Sequence, residues 1–258
     1  MRKLLFSLGF LGSFFLIHAQ QASSGFLLSG EVIYQEIVKM DIKLEGVDEQ
    51  LAAQIPKERK SEKVLYFNEH EAIFENLPKE DPEEGMPMEG GGMMIKMYQP
   101  DDKSYLDLAG EKMIEQKEFM SRVFLIESEL KQDKWKMTGQ QRMILEYPCQ
   151  EAVTQVEGKE VHAWFTPQIA VAAGPGRYSG LPGLVLAMEM DDGDRTLTAI
   201  KLELKPVEKG AIQKPRKGKK VTREEYQAIV AEKMKEMGVE AGDGGTASTH
   251  SVVIRIQQ

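Results

Sequence analysis

Apolar residues in this chain recur at every second position, in one short segment after another. Val32, Tyr34, Val38, Met40, Ile42 and Leu44 share one parity, with Glu36 interrupting the series. An extended chain places such residues on one face. Leu184, Leu186, Met188 and Met190 repeat the pattern, and Thr198, Ile200, Leu202 and Leu204 repeat it again. Segments 63–67, 71–74, 93–98, 104–108, 113–119 and 122–130 also read as strands. Turn residues such as Asn68, Pro100, Asp101, Asp102 and Gly110 separate most of them. Short strands roughly ten residues apart point to antiparallel sheet. Segments 149–156 and 159–166 flank Glu157-Gly158, a hairpin signal. In the second of these, Val161, Ala163 and Phe165 take one face, and His162 and Trp164 the other.

Helical spacing dominates one segment, Thr222 to Met237. Thr222 and Glu225 form a capping box, and Gly238 stands at the expected stop. Tyr226, Ile229, Val230, Lys233 and Met237 follow the helical period. A glycine-rich linker, 240–246, leads to a last strand at 251–256. Two segments break the pattern. Residues 45–62 are polar, with Pro56 near the middle. Residues 77–92 are rich in proline, glycine and acidic side chains and read as a mobile loop. The expected fold is therefore mainly β. It is an antiparallel curved sheet or half-open barrel, with one C-terminal helix across its concave face or mouth.

The first residues carry an address. Arg2 and Lys3 precede an apolar run from Leu4 to Ile17, and Ala19 precedes Gln20. This is the layout of a secretory signal peptide cleaved after Ala19. The run is too short to span a bilayer, which takes about 20 apolar residues. No cysteine stands directly after the cleavage point, so no lipid anchor at the new N-terminus is expected, and no later stretch is apolar enough to cross. Residues 20–258 are then one exported domain of about 240 residues, periplasmic or extracellular. Its lone cysteine, Cys149, rules out an internal disulfide. A net charge of −8 argues against nucleic acid as a partner.

The stretch "PGRYSGLPGLVLAMEM", 175–190, follows "YPCQEAVTQVEGKEVHAWFTP" and precedes the acidic turn "DDGD". This order resembles the GLPGLI family of exported Bacteroidetes proteins, related to a Porphyromonas-type domain family of unknown function. The likeness covers Tyr147 to Tyr226, with Val185 where the family name has isoleucine. The resemblance implies an exported β domain and brings no established activity. It also brings a fold-level analogy to exported lipoprotein-carrier domains. Physically, Gly180 and Gly183 permit positive φ or close backbone approach, and Pro182 fixes φ between them. Tyr178 can cover the bare turn while Leu181 and Leu184 anchor its two sides. A structural corner is the leading reading. A loop that touches ligand, with Trp164 beside it, is the second.

Few residues suggest chemistry. Ser179 lies in Gly176-Arg177-Tyr178-Ser179-Gly180, which has neither the spacing nor the strand-to-helix setting of a nucleophile elbow. Cys149 and His162 sit on adjacent hairpin strands, but a lone cysteine in a core is usually inert. A hydrolase is thus the weakest class. No zinc spacing occurs, and Asp191, Asp192 and Asp194 read as a hairpin turn. Lys214 to Lys220 is a solvated basic loop or a docking patch for an acidic surface. The most unusual feature is Met86, Met88, Met93, Met94 and Met97, five methionines within twelve residues. Thioethers are soft donors that suit Cu(I), the one cofactor the sequence admits. The leading expectation is a non-enzymatic binding or accessory protein of the cell envelope. Its ligand would be an apolar molecule or a partner protein. Copper handling through 86–97 is the alternative.

Overall fold

The computed structural model describes residues 28–40, 56–78, 99–156 and 158–236, with the backbone of short strands at 86–87, 94–96 and 255–257. In chain order the strands are β1 (Gly30–Lys39), β2 (Glu58–Phe67), β3 (Glu71–Asn76), β4 (Met86–Pro87) and β5 (Met94–Lys96). Then come β6 (Lys103–Asp107), β7 (Lys112–Phe119), β8 (Arg122–Glu129), β9 (Lys136–Ile144) and β10 (Tyr147–Val156). The remainder are β11 (Lys159–Thr166), β12 (Leu184–Met190), β13 (Arg195–Leu204), β14 (Lys219–Val221) and β15 (Arg255–Gln257). Helix α1 spans Arg223–Glu236. Twelve strands form one open sheet in the order β14-β8-β7-β6-β3-β2-β1-β13-β12-β11-β10-β9. It does not close into a barrel. Strands β15, β5 and β4 form a separate small sheet.

The alternation seen in the sequence becomes cross-strand rows. Val32, Leu65, Phe74, Ser104, Glu115 and Ile126 are successive partners and so share one face. Helix α1 lies on that face. Its Tyr226 and Val230 pack on Phe119, Phe124 and Ile126, and the Tyr226 ring meets Phe124 edge-on at 5.4 Å. The capping box forms as expected. Glu225 N–H donates to Thr222 Oγ1 at 3.1 Å, and Thr222 N–H donates to Glu225 Oε2 at 2.9 Å. Arg223 then pairs with Glu115 of β7, fixing the start of the helix to the sheet.

The opposite face of β3, β6, β7 and β8 carries Ile73, Tyr105, Ile114 and Leu125, all buried. The segment between β13 and β14 covers them. Ile212 packs on this group, and Lys214 Nζ lies 5.9 Å from the centre of the Tyr105 ring. This strap carries the chain from the middle of the sheet to its edge. There β14 adds to β8 in the sheet's one parallel pairing. By pattern alone 214–220 reads as a basic loop or docking patch, because a three-residue, lysine-rich strand has no alternation to detect. Strand β9 also went unread. Its side chains are exposed up to Ile144, so nothing apolar marks one face. Strand β1 ends at Lys39, and Met40 lies past it. Ile42, Leu44, most of the 77–92 loop and Met237–Gly238 fall outside the described residues.

Strand β1 is the centre of the sheet, pairing with β2 on one side and β13 on the other. Glu36 does not break its inward series; it extends it, with no solvent exposure. Arg195 of β13 holds Glu36 Oε1 through Nε at 2.8 Å and Nη2 at 2.7 Å. From β2, Ser61 Oγ donates to Oε2 at 2.9 Å and Lys63 Nζ stands 3.5 Å away. Burial pushes the Lys63 ammonium pKa down; the Glu36 charge opposes that shift, and Arg195 adds to it. One carboxylate therefore ties three neighbouring strands together. Removing it would leave two cations facing each other with little water. Glu36→Ala is expected to lower the unfolding free energy by about 3 kcal/mol, the low end for a broken buried pair because Arg195 keeps some solvent access. Urea denaturation of the two proteins measures the difference.

Candidate functional site

Residues 167–183 connect β11 to β12 and double back along the strand they lead into. Leu184 N–H donates to Ile169 O at 3.0 Å, and Val185 N–H to Ala173 O at 3.0 Å. Ile169, Val171 and Ala173 are buried between. The GLPG turn closes this connection. Gly180 sits at φ +91°, a conformation that strains any side chain. Gly183 lies against the end of β11. A Cβ there would come 2.8 Å from the Thr166 carbonyl carbon and closer still to its oxygen. Leu181 and Leu184 are buried on either side, and Pro182 is exposed.

A second segment, 131–135, clamps the turn from the β8–β9 connection. Trp135 Nε1 donates to Ser179 O at 2.8 Å, and its ring meets Tyr178 edge-on at 6.3 Å. Ser179 N–H reaches Asp133 Oδ2 at 3.4 Å, and its hydroxyl donates to Lys131 O at 3.4 Å. Burial raises the Asp133 carboxyl pKa, and the Ser179 N–H offsets part of that. The Ser179 hydroxyl is thus bound to a backbone carbonyl, and the neighbouring Asp133 carboxylate accepts from the Ser179 N–H. Trp164 takes a different partner: the Arg142 guanidinium covers its ring at 4.1 Å, a cation–π contact. Phe165 is buried in the main core, and a register shift separates it from Trp164.

The structure does not join Cys149 to His162. Cys149 pairs in register with Arg142, whereas His162 pairs with Val153. The thiol is buried, its Sγ is 3.5 Å from Tyr147 O, and burial pushes its pKa up to about 11. His162 lies between two carboxylates instead. Its Nδ1 is 2.9 Å from Glu151 Oε1, and its Nε2 is 2.8 Å from Glu160 Oε1. Thr138 Oγ1 donates to the other Glu151 oxygen at 2.6 Å. The chain Thr138–Glu151–His162 links β9 to β10 and β11. The hydrogen bond with Glu151 is the chief reason the His162 pKa is raised; burial opposes it.

Glu151 escaped the sequence reading because a buried carboxylate has no signature until its partners are known. The acidic turn forms a 3-10 turn at Asp191–Gly193, with Asp191 2.7 Å from Lys159 and Asp194 3.6 Å from Lys39. Among the described residues no three His, Cys, Asp or Glu side chains are placed to hold a metal. Strands β4 and β5 pair with Met86 opposite Ile95 and Pro87 opposite Met94. Met88, Met93 and Met97 lie outside the described residues.

Three comparisons bear on this arrangement. A model of the Porph_ging family, described as a protein of unknown function, matches residues 153–187. That span runs from β10 through β11 and the GLPG turn into β12. No curated protein gives a significant match. Crystal structures of PNGF-II in space groups P21 and C2 are similar over 78% of this chain, each with a TM-score of 0.51, at 14% and 15% identity. The chain spans only about a third of the PNGF-II length, 33% and 32% of the two chains. The likeness is one of fold.

Two outcomes test the turn and the histidine pair. Gly183→Ala is expected to cost about 3 kcal/mol, because the obstacle is strand backbone and cannot yield like a side-chain tip. The midpoint of urea unfolding reports it. For His162 the native state holds its proton more tightly than the unfolded chain does. The pair's contribution is then complete below about pH 6.5 and is lost as pH rises through the raised native value. Comparing wild type with His162→Gln by denaturation across this range should show their difference shrinking toward alkaline pH.

Proposed function

We propose that this chain is an exported, non-enzymatic binding or accessory domain of the cell envelope, of the GLPGLI type. One observation carries the reading: a similar fold covers about a third of the PNGF-II chain, as expected of a module that can be built into a larger protein. The leader at 1–19 supports export. The fate of the reactive groups supports a non-catalytic role: the Cys149 thiol is buried and high in pKa, and the Ser179 hydroxyl is bound to a backbone carbonyl. A surface partner fits better than an apolar molecule lodged in the sheet, because Phe165, Leu186, Met188 and Leu197 already pack in one core. The second reading is Cu(I) handling, favoured by the β4–β5 pairing that sets Met86–Pro87 against Met94–Ile95.

A single preparation tests both. Expression of the full chain in a bacterium with an outer membrane is expected to release protein whose intact mass begins at Gln20. Uncleaved chain held in the cytoplasm would overturn the export reading. The released protein is then titrated anaerobically with Cu(I) against a competing chelator. The comparison is a variant with Met86, Met88, Met93, Met94 and Met97 changed to leucine. Competition lost in the variant would put copper handling first.

A further inference from the structure

The tip of the β7–β8 hairpin combines two unusual features. Its two-residue turn is Met120-Ser121, with φ +50° and +62°. Turns of this kind normally carry Asn-Gly, because both positions need positive φ. A methionine held there is uncommon, and backbone held in such a region is a pointer to function. Met120 is also 42% exposed. The second feature is the charge around it. Arg122 follows the turn directly. Strand β14 runs parallel to β8 with Lys219 beside Phe124, and Gly218 lies against the Phe124 backbone. Lys217 and Arg216 therefore arrive level with the hairpin tip.

These cations are exposed, and the carboxylates nearest on the β7 side, Glu118, Asp101 and Asp102, are engaged by backbone N–H groups, Gln116 and Lys117 instead. Lys220 pairs with Glu127 at 3.0 Å. Among the described residues Arg122, Arg216, Lys217 and Lys219 form no ion pair. They are also held in place rather than trailing in solvent. Pro215 is buried, Ile212 packs on the sheet, and β14 is hydrogen-bonded into it. A protein of net charge −8 thus presents one local basic surface with an apolar residue at its apex.

We propose that this hairpin tip and the adjoining strap dock on a membrane surface bearing anionic phosphate headgroups. Met120 enters the interface, and Arg122, Arg216, Lys217 and Lys219 engage the phosphates. Cations around an exposed apolar residue match the two attractions that hold a protein on an anionic bilayer. The aromatic residues beside them, Phe119 and Phe124, are buried under α1, so none is exposed to stack nucleic-acid bases. The exposed apolar group at the tip is a methionine and not an aromatic anchor of the kind that dominates protein interfaces. The proposal rests on the envelope reading above and names its partner.

The test uses the full mature chain, from Gln20, and sedimentation with vesicles. One set is phosphatidylcholine alone; the other is phosphatidylcholine and phosphatidylglycerol in equal parts. Binding is expected only to the second set and should weaken with salt. A variant with Arg216→Glu, Lys217→Glu and Lys219→Glu should lose about a hundredfold in partitioning. A charge-matched variant with Lys112→Glu, at the other end of β7, and Lys134→Glu and Lys136→Glu, at the far edge of the sheet, should keep most of it. Met120→Ser should weaken binding at unchanged salt dependence, and it decides the question if the first variant does not fold.

No binding by the wild type, or equal loss in both charge variants, would overturn the proposal. Binding to soluble polyglutamate without binding to vesicles would also overturn it, in favour of an acidic protein partner. Vesicle binding does not depend on export in the cell. A failure here with correct cleavage after Ala19 leaves the envelope reading standing, and the converse result separates them the other way.

Discussion

A single buried carboxylate organises this sheet. Glu36 lies at the middle of the fold on β1, where the N-terminal strands meet the C-terminal ones. Its partners come from both sides: Arg195 from β13, Ser61 and Lys63 from β2. Hydrogen bonding along β1 would hold many registers. A carboxylate with no access to water holds one, because a slip by a residue would turn it outward and bring Gln35 or Ile37 in. The pairing of β1 with β13 joins residues more than a hundred positions apart. A polar lock at that seam specifies which strands meet, while the apolar rows beside it supply the burial energy.

The GLPG turn solves a local problem on the same sheet. The connection from β11 to β12 must cross the end of β11 and still deliver Leu184 to the core. Only a residue without a side chain can lie against the Thr166 carbonyl, so Gly183 stands there. Trp135 then seals the turn by binding the Ser179 carbonyl and packing on Tyr178. This explains why so bare a sequence is rigid. The glycines allow close approach, and a clamp from the β8–β9 connection removes the freedom they would otherwise bring. The Porph_ging match, 153–187, covers the hairpin and this corner.

An open sheet of this size has two ends to protect. At one end β9 carries Lys136, Thr138, Gln140 and Arg142, and Gly139 at φ +84° bends its backbone. At the other, β14 is three residues long and contributes Lys219 and Lys220. Short, charged or bent edges resist pairing with other chains. The basic strap serves that end twice. It covers Ile73, Tyr105, Ile114 and Leu125 on the outer face, and it brings Arg216, Lys217 and Lys219 beside the Met120 tip.

The sequence by itself determined the elements that depend on local pattern. Alternation marked β1, β12 and the place of β13, though in β13 Leu197 and Ala199 turn into the core while Thr198, Ile200 and Leu204 are exposed. Glu157-Gly158 marked the β10–β11 hairpin, and the Thr222–Glu225 box marked the helix start, because each follows from spacing along the chain. The glycines of the turn were legible for the same reason, as residues with special backbone freedom. Only the tertiary structure decided what lies across the sheet. It made Glu36 a lock instead of an interruption, gave His162 to Glu151 instead of Cys149, and folded 131–135 onto the GLPG turn. It also turned a basic loop into a strap ending in a strand. All four involve partners distant in sequence. A polar side chain's role is set by the group it meets, and no spacing along the chain states which group that will be.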